Sequence, residues 1–290
     1  MKPIIAAIDF SNSSPLVLRH ALRAADMSGA DLIAIHVLDE SRIDFIMSSS
    51  EKGGDPVILG DQAKEKFNRL VAAEAPGRSI TFRVEIGKPA ETMARVLEEV
   101  SAGLLIIGAN DMTKKRLGSV AARCVRTSPC DVLVLRDWQG GNFRKIVVCN
   151  DFSKPASRAI ASGAAIAASH GASLQIVNVI YPPDMDSWGA TLEHRLDSPT
   201  SYSEECHARA QWMMDKSLAP HLEALDGIPW EAMVIEGASS AAAITSHVTI
   251  VDADLVVMGT RGHSKLASYF IGTNAERLLQ DLPVSVLAVR

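Results

Sequence analysis

The chain has 290 residues, a net charge of −5, 47% hydrophobic residues and only 5% aromatic ones. That length predicts about two domains with aliphatic cores, and the acidic balance excludes a general binder of nucleic acid or anionic membranes. No apolar run reaches the roughly 18 residues of a membrane span, and Cys124, Cys130, Cys149 and Cys206 form no C-x-x-C pair, which argues against structural zinc or a disulfide framework and for small buried hydrophobes.

In chain order, Ile4 to Ile8 is a short apolar run stopped by Asp9, a first strand rather than a signal segment, so a cytoplasmic location is expected. Ser11 to Ser14 offer N-caps and Pro15 suits a first helical turn, with Gly29 closing that helix. A second buried strand spans Asp31 to Val37. The polar stretch from Asp39 to Leu59 reads as a long, mobile loop, followed by a charged helix from Asp61 to Glu74. Ile80, Phe82, Val84 and Ile86 alternate as in a strand with one buried face. A helix over 89–100, a strand at 104–108, a helix over 119–127 and a strand at 132–135 complete the unit, and Trp138 to Asn142 reads as a linker.

The pattern then restarts. Ile146 to Val179 overlies Ile4 to Val37 at a constant offset of 142, matching Asp9-Phe10-Ser11 with Asp151-Phe152-Ser153. Pro129-x-x-Val132-Leu133-x-x-Arg136 matches Pro283-x-x-Val286-Leu287-x-x-Arg290 near the ends. Fixed residues at fixed offsets imply duplication, with domains over 1–137 and 144–290. In the second unit a polar loop runs from Tyr181 to Ser201. Then come a charged helix (203–225), a strand (230–235), a helix (239–249) and strands at 255–258 and 284–289.

Alternating apolar strands and helices predict an α/β chain: two tandem, doubly wound parallel five-stranded sheets, each in the order 3-2-1-4-5 with helices on both faces. Ligands of such sheets sit at strand carboxyl ends where the winding reverses. There, Met258 to Asn274 empties a strand into a glycine-punctuated loop and a new helix. Gly259, Gly262 and Gly272 let backbone approach a ligand, the helix N–H groups suit phosphate, and Arg261, His263 and Lys265 add donors. An ordinary strand–helix loop would also use glycines. The last strands of the two units, apolar and at sheet edges, should pair or pack together as an intrachain pseudo-dimer; a homodimer is the further option.

Gly259-x2-Gly262-x9-Gly272-Thr273, with the flanking strands, resembles the nucleotide motif of the universal stress protein family, and the resemblance covers the chain twice. It implies an adenine nucleotide α-hydrolase-like fold binding ATP, with Mg or Mn as companion metal, no nucleic acid and no membrane. It also implies that Asp151 and the backbone of Val179 receive the adenosine, that Met258 and Gly259 line the pocket, and that Arg261, Gly262, Gly272, Thr273 and Asn274 hold the phosphates. In the first unit Asp9, Val37, Gly108, Gly118 and Ser119 match as a weaker site. Its loop is three residues shorter and carries Asp111 in place of the middle glycine. That carboxylate would repel phosphate by about 1 kcal/mol at 4 Å, against which Lys114-Lys115-Arg116 offer compensation.

Other residues have plainer readings. Asp9 and Asp151 cap helices together with Ser11 and Ser153, and His36 is a satisfied core histidine. His170, His194, His207, His221 and His247 lack metal-ligand spacing and mostly belong on the surface. Trp188, Tyr202 and Trp212 pin a loop to the core or cover a ligand. No G-x-x-x-x-G-K-[ST] or G-x-S-x-G occurs. The expected function is a stress-response binding module with slow or no ATP hydrolysis. The alternatives are an ATP hydrolase or phosphotransferase, and a dimerisation protein with relic sites.

Overall fold

A computed structural model describes residues 1–49, 55–109, 117–136, 141–181, 199–260 and 272–290. Each unit contributes five strands: β1 (Ile4–Ala7), β2 (Leu32–Asp39), β3 (Thr81–Gly87), β4 (Leu104–Gly108) and β5 (Asp131–Leu135), then β6 (Lys145–Cys149), β7 (Ser173–Ile180), β8 (Trp230–Glu236), β9 (Leu255–Gly259) and β10 (Ser285–Val289). Within each unit the strands are parallel and ordered 3-2-1-4-5, as the alternation predicts. The two sheets join edge to edge, so the described strands form one ten-stranded sheet, β3-β2-β1-β4-β5-β10-β9-β6-β7-β8. The seam is the single antiparallel pair: Val134 opposes Val286, Leu133 opposes Leu287 and Val132 opposes Ala288. Of the two ways to cover these apolar edges, the chain uses pairing.

Helices α1 (Ser14–Ser28), α3 (Pro56–Glu74), α6 (Lys154–His170) and α7 (Pro199–Leu218) cover one face; α8 (Leu222–Leu225) continues it after a 3₁₀ turn at Ala219–His221. Helices α4 (Pro89–Glu99), α5 (Ser119–Thr127), α9 (Ser240–Ile250) and α10 (Thr273–Asp281) cover the other. The cores run across the seam and are mostly Ala, Val, Ile and Leu, as the composition requires. The helix signals act as expected: Pro15 follows the N-cap Ser13, and Gly29 (φ +66°) and Gly171 (φ +66°) end α1 and α6 in the left-handed conformation.

Two loop expectations are corrected. The stretch 39–59 contains helix α2 (Glu40–Ser49) and the first turn of α3, which starts at Pro56, not Asp61. Asp39 Oδ1 accepts from the Ser41 amide at 3.0 Å, and Asp55 Oδ1 accepts from the Val57 amide at 2.8 Å ahead of Pro56. These caps launch two helices from a segment whose polarity hides them. Likewise α7 starts at Pro199, inside the expected 181–201 loop; residues 182–198, with Trp188 and His194, lie outside the description, as does the side chain of Tyr202.

The described end of the link between the units, Gly141 to Phe143, is anchored. Phe143 is 2% exposed and lies between the His20 ring of α1 (5.3 Å between centroids) and the His170 ring of α6 (5.1 Å). The Phe143 amide donates to His170 Nδ1 at 2.9 Å, and Arg23 donates to the Gly141 carbonyl at 2.6 Å.

Candidate functional site

The winding reverses between β1 and β4 in the first unit, and a cleft of about 370 Å³ opens there. Asp9, Val37 and Gly108 line it together, with Val120 and Ala121 from the first turn of α5. Ser119 begins that turn and Gly118 is its N-cap, beside the lining residues of the cleft. The cleft also takes in Ser11, His36, Asp39, Arg42, Pro89 and Met93. Arg42 was hidden by the loop reading of 39–59; its position three residues into a capped helix was the available signal.

Strand β1 reaches the cleft through a strained turn, and β6 repeats it. Phe10 has φ +60° and Phe152 φ +64°, left-handed values that bulky side chains avoid. Asp9 Oδ1 holds the turn by accepting from the Ser11 amide (2.9 Å) and hydroxyl (2.5 Å) and the Ser14 hydroxyl (3.0 Å). Asp151 Oδ1 accepts from the Ser153 amide at 3.0 Å. The expected helix capping is present only at Ser153, whose Oγ accepts from the Ala156 amide of α6; the two aspartates close the turn ahead of the helix, and α1 has no side-chain cap. Beside them, His36 Nδ1 donates to the Ile8 carbonyl at 2.7 Å, and Asn178, its counterpart, donates to the Asn150 carbonyl at 2.7 Å. Burial lowers the His36 pKa, opposed by that bond and by Asp9, so a neutral ring with the proton on Nδ1 results. Burial, then the Asp151 charge, pushes the Cys149 thiol up to about 12, which keeps it protonated.

Strands β4 and β9 end on glycines for a reason the spacing does not reveal. A Cβ on Gly108 would lie 2.2 Å from Ser13 Oγ and 2.8 Å from its Cβ; one on Gly259 would lie 2.7 Å from Pro155 Cβ and 3.1 Å from its carbonyl carbon. On the side where a Cβ would stand, the start of a helix and not a ligand makes the close approach. Gly272 differs: among the described residues nothing lies within 4 Å of a Cβ built there. It is the N-cap of α10, without a side-chain cap, as Gly118 is for α5. The amide of Gly118 donates to the Ala109 carbonyl at 3.1 Å, and that of Gly272 to the Thr260 carbonyl at 3.1 Å. The glycine loops are thus pinned alike at both ends, and the three-residue difference lies between the pins. Each loop delivers a helix whose first N–H groups have no side-chain cap among the described residues.

The remaining second-unit residues fall at the carboxyl ends of adjacent strands. Asp151 is exposed just past β6, Val179 is half-buried in β7, Gly259 ends β9 and Thr273 is exposed at the start of α10. Met258 is 2% exposed and packs in the core, where its counterpart Ile107 lines the first cleft. Arg261, Gly262, His263, Lys265 and the Asn274 side chain lie outside the described residues, as do Asp111 and Lys114 to Arg116. The described histidines of this group sit at the surface, but partly covered and each with a partner. His170, His207, His221 and His247 are half-buried and bonded to the Phe143 amide, Glu236, Ser157 and Gln175. Trp212 is 62% exposed, with Lys216 Nζ 5.1 Å from its ring centre; the loop it was expected to pin lies outside the described residues.

The model of the universal stress protein family matches residues 1–136 and again 142–290. The chain belongs to the universal stress protein family. It is a tandem, two-domain member. A universal stress protein of Thermus aquaticus is 33% identical over 149 residues, covering 51% of this chain and 99% of the relative. A functionally unknown protein of Pseudomonas aeruginosa shares the fold over 100% of this chain and 92% of its own, at 18% identity and TM-score 0.68. A universal stress protein of Archaeoglobus fulgidus does so over 99% and 96%, at 19% identity and TM-score 0.67. No described helix of this universal stress protein is long and apolar enough to cross a membrane.

Proposed function

We propose that the protein is a cytoplasmic regulatory module that binds ATP, mainly through its second domain, with slow or no hydrolysis. In this reading Asp151 and the Val179 backbone receive the nucleoside, and Met258 and Gly259 back the pocket. Arg261, Gly262, Gly272, Thr273 and Asn274 hold the phosphates, with Thr273 in reach of a companion Mg or Mn. The observation that carries it is the start of α10: a glycine N-cap with no side-chain cap bond and, among the described residues, open space before it. The first-domain cleft supports it, because Asp9, Val37 and the first turn of α5 face one space there, and the repeat gives Asp151, Val179 and α10 the same relation. That first cleft is the weaker site in this reading, with its shorter loop and Asp111.

Gly272→Ala isolates the ligand. Its φ of −64° suits alanine and its Cβ meets no neighbour among the described residues, so the free protein should melt as before. The new methyl group stands before the phosphates, and ATP affinity should fall about tenfold, or about 1.4 kcal/mol. Calorimetric titration reads the affinity, chromatography of extracted nucleotide reads what the cell supplies, and phosphate release reads turnover. Saturating ATP that neither binds nor shifts the melting temperature overturns the reading, since a ligand at 100 times its Kd stabilises by about 2.7 kcal/mol.

A further inference from the structure

We propose that the first domain tunes how strongly the second-domain site holds phosphate charge, through an ion pair that crosses the seam from Arg126 to Glu276. The inference rests on the nucleotide reading above. Because β5 and β10 run antiparallel, the last turn of α5 meets the first turn of α10. There Arg126 Nη1 lies 2.9 Å from Glu276 Oε1. Glu276 occupies the helix turn whose N–H groups face the phosphates, and helical side chains lean toward the N-terminus. Alone, its carboxylate would oppose every phosphate charge brought to that turn; the Arg126 guanidinium cancels it.

Two further observations tie this to the seam. Arg290, from the last strand of the second domain, donates to the Val125 carbonyl at 2.7 Å and the Arg126 carbonyl at 2.5 Å, fixing the backbone that carries Arg126. The pair also has no mate across the duplication. At the offset of 154 that relates Arg136 to Arg290, Gln280 stands for Arg126 and Ala122 for Glu276. The charge pair belongs only to the domain with the intact glycine motif.

Both side chains are about 40% exposed, so solvent and salt screen the interaction and the effect is graded. The test measures the affinity of the full-length protein for ATP, ADP, AMP and adenosine by calorimetric titration. Arg126→Ala should weaken ATP about three- to tenfold, ADP and AMP progressively less, and adenosine not at all. Arg126→Lys should restore most of the loss, and raising salt should shrink it. Glu276→Gln, which leaves the guanidinium unpaired beside the phosphates, should tighten ATP several-fold. Arg126→Ala combined with Glu276→Gln should return it near the wild-type value. Equal losses for adenosine and ATP would mark a merely structural role and overturn the proposal, as would an unchanged ATP affinity or a double variant that binds ATP as weakly as Arg126→Ala alone. Wild-type protein that binds none of the four overturns the nucleotide reading itself, a result separable from a flat series.

Discussion

At the scale of single residues, the glycines at the strand ends separate packing from binding. Gly259 abuts Pro155 at the start of α6, with backbone among the close atoms. Gly259→Ala should therefore destabilise the free protein by about 1–3 kcal/mol, the usual cost of overpacking. An urea midpoint shifted in the absence of nucleotide would show it; a midpoint unchanged while ATP binding fails would instead return Gly259 to the ligand. Gly272 has the opposite signature, and only coordinates separate the two, because spacing in a sequence does not say which side of a glycine is occupied. The strained Phe10 and Phe152 were equally illegible: Asp-Phe-Ser marks the turn, but a positive φ on phenylalanine follows from the Asp9 and Asp151 bonds that close it.

At the scale of elements, the repeat was legible because each strand is a short apolar run and each helix is bracketed by Ser, Pro or Gly. Helix α2 was missed because polarity outweighed the Asp39 cap, and the long Asp39–Leu59 loop dissolves into α2 and α3. The site was legible as a set of strand ends around a glycine loop, while Arg42 and Met93 in the first cleft were not. Nor did the sequence disclose what the matched terminal arginines do. Arg136 donates to the Leu279 carbonyl of α10 at 2.7 Å, and Arg290 to the last carbonyls of α5. Each domain thus caps, in the other, the C-terminus of the helix whose N-terminus faces the candidate site. Arg290→Ala strips that cap from α5 and leaves partly buried carbonyls without it. A loss of about 1–3 kcal/mol is expected in denaturant unfolding, with amides of the last α5 turn exchanging faster. Protection unchanged along α5 would show that the cap does not hold the helix.

At the scale of the whole molecule, the two domains share one sheet and the packing of Phe143 against both, so protonation beside Phe143 should act on both. His20 is 6% exposed on α1 and faces Phe143, with His170 of α6 and the cations Arg19 and Arg23 nearby. Burial, then these charges, lowers its pKa from 6.5 to about 3. The His170 pKa is lowered too, by burial and Arg23 against Asp254, and its Nδ1 must stay unprotonated to accept from the Phe143 amide. A histidine whose folded pKa lies below its unfolded one binds fewer protons when folded. Its contribution is therefore full above the unfolded pKa and drains as pH falls through it. For His20 alone the loss between pH 7 and pH 5 is about 2 kcal/mol; it does not depend on the folded pKa so long as that stays well below 5. His20→Gln, which cannot titrate, should remove that share and flatten the decline in urea stability, leaving a remainder from His170 and the other depressed histidines. A decline as steep in the variant as in the wild type would place the acid sensitivity elsewhere. Because α1 and α6 belong to different domains and both hold Phe143, the transition should stay single and cooperative as it moves to lower urea, not split into two domain-sized steps.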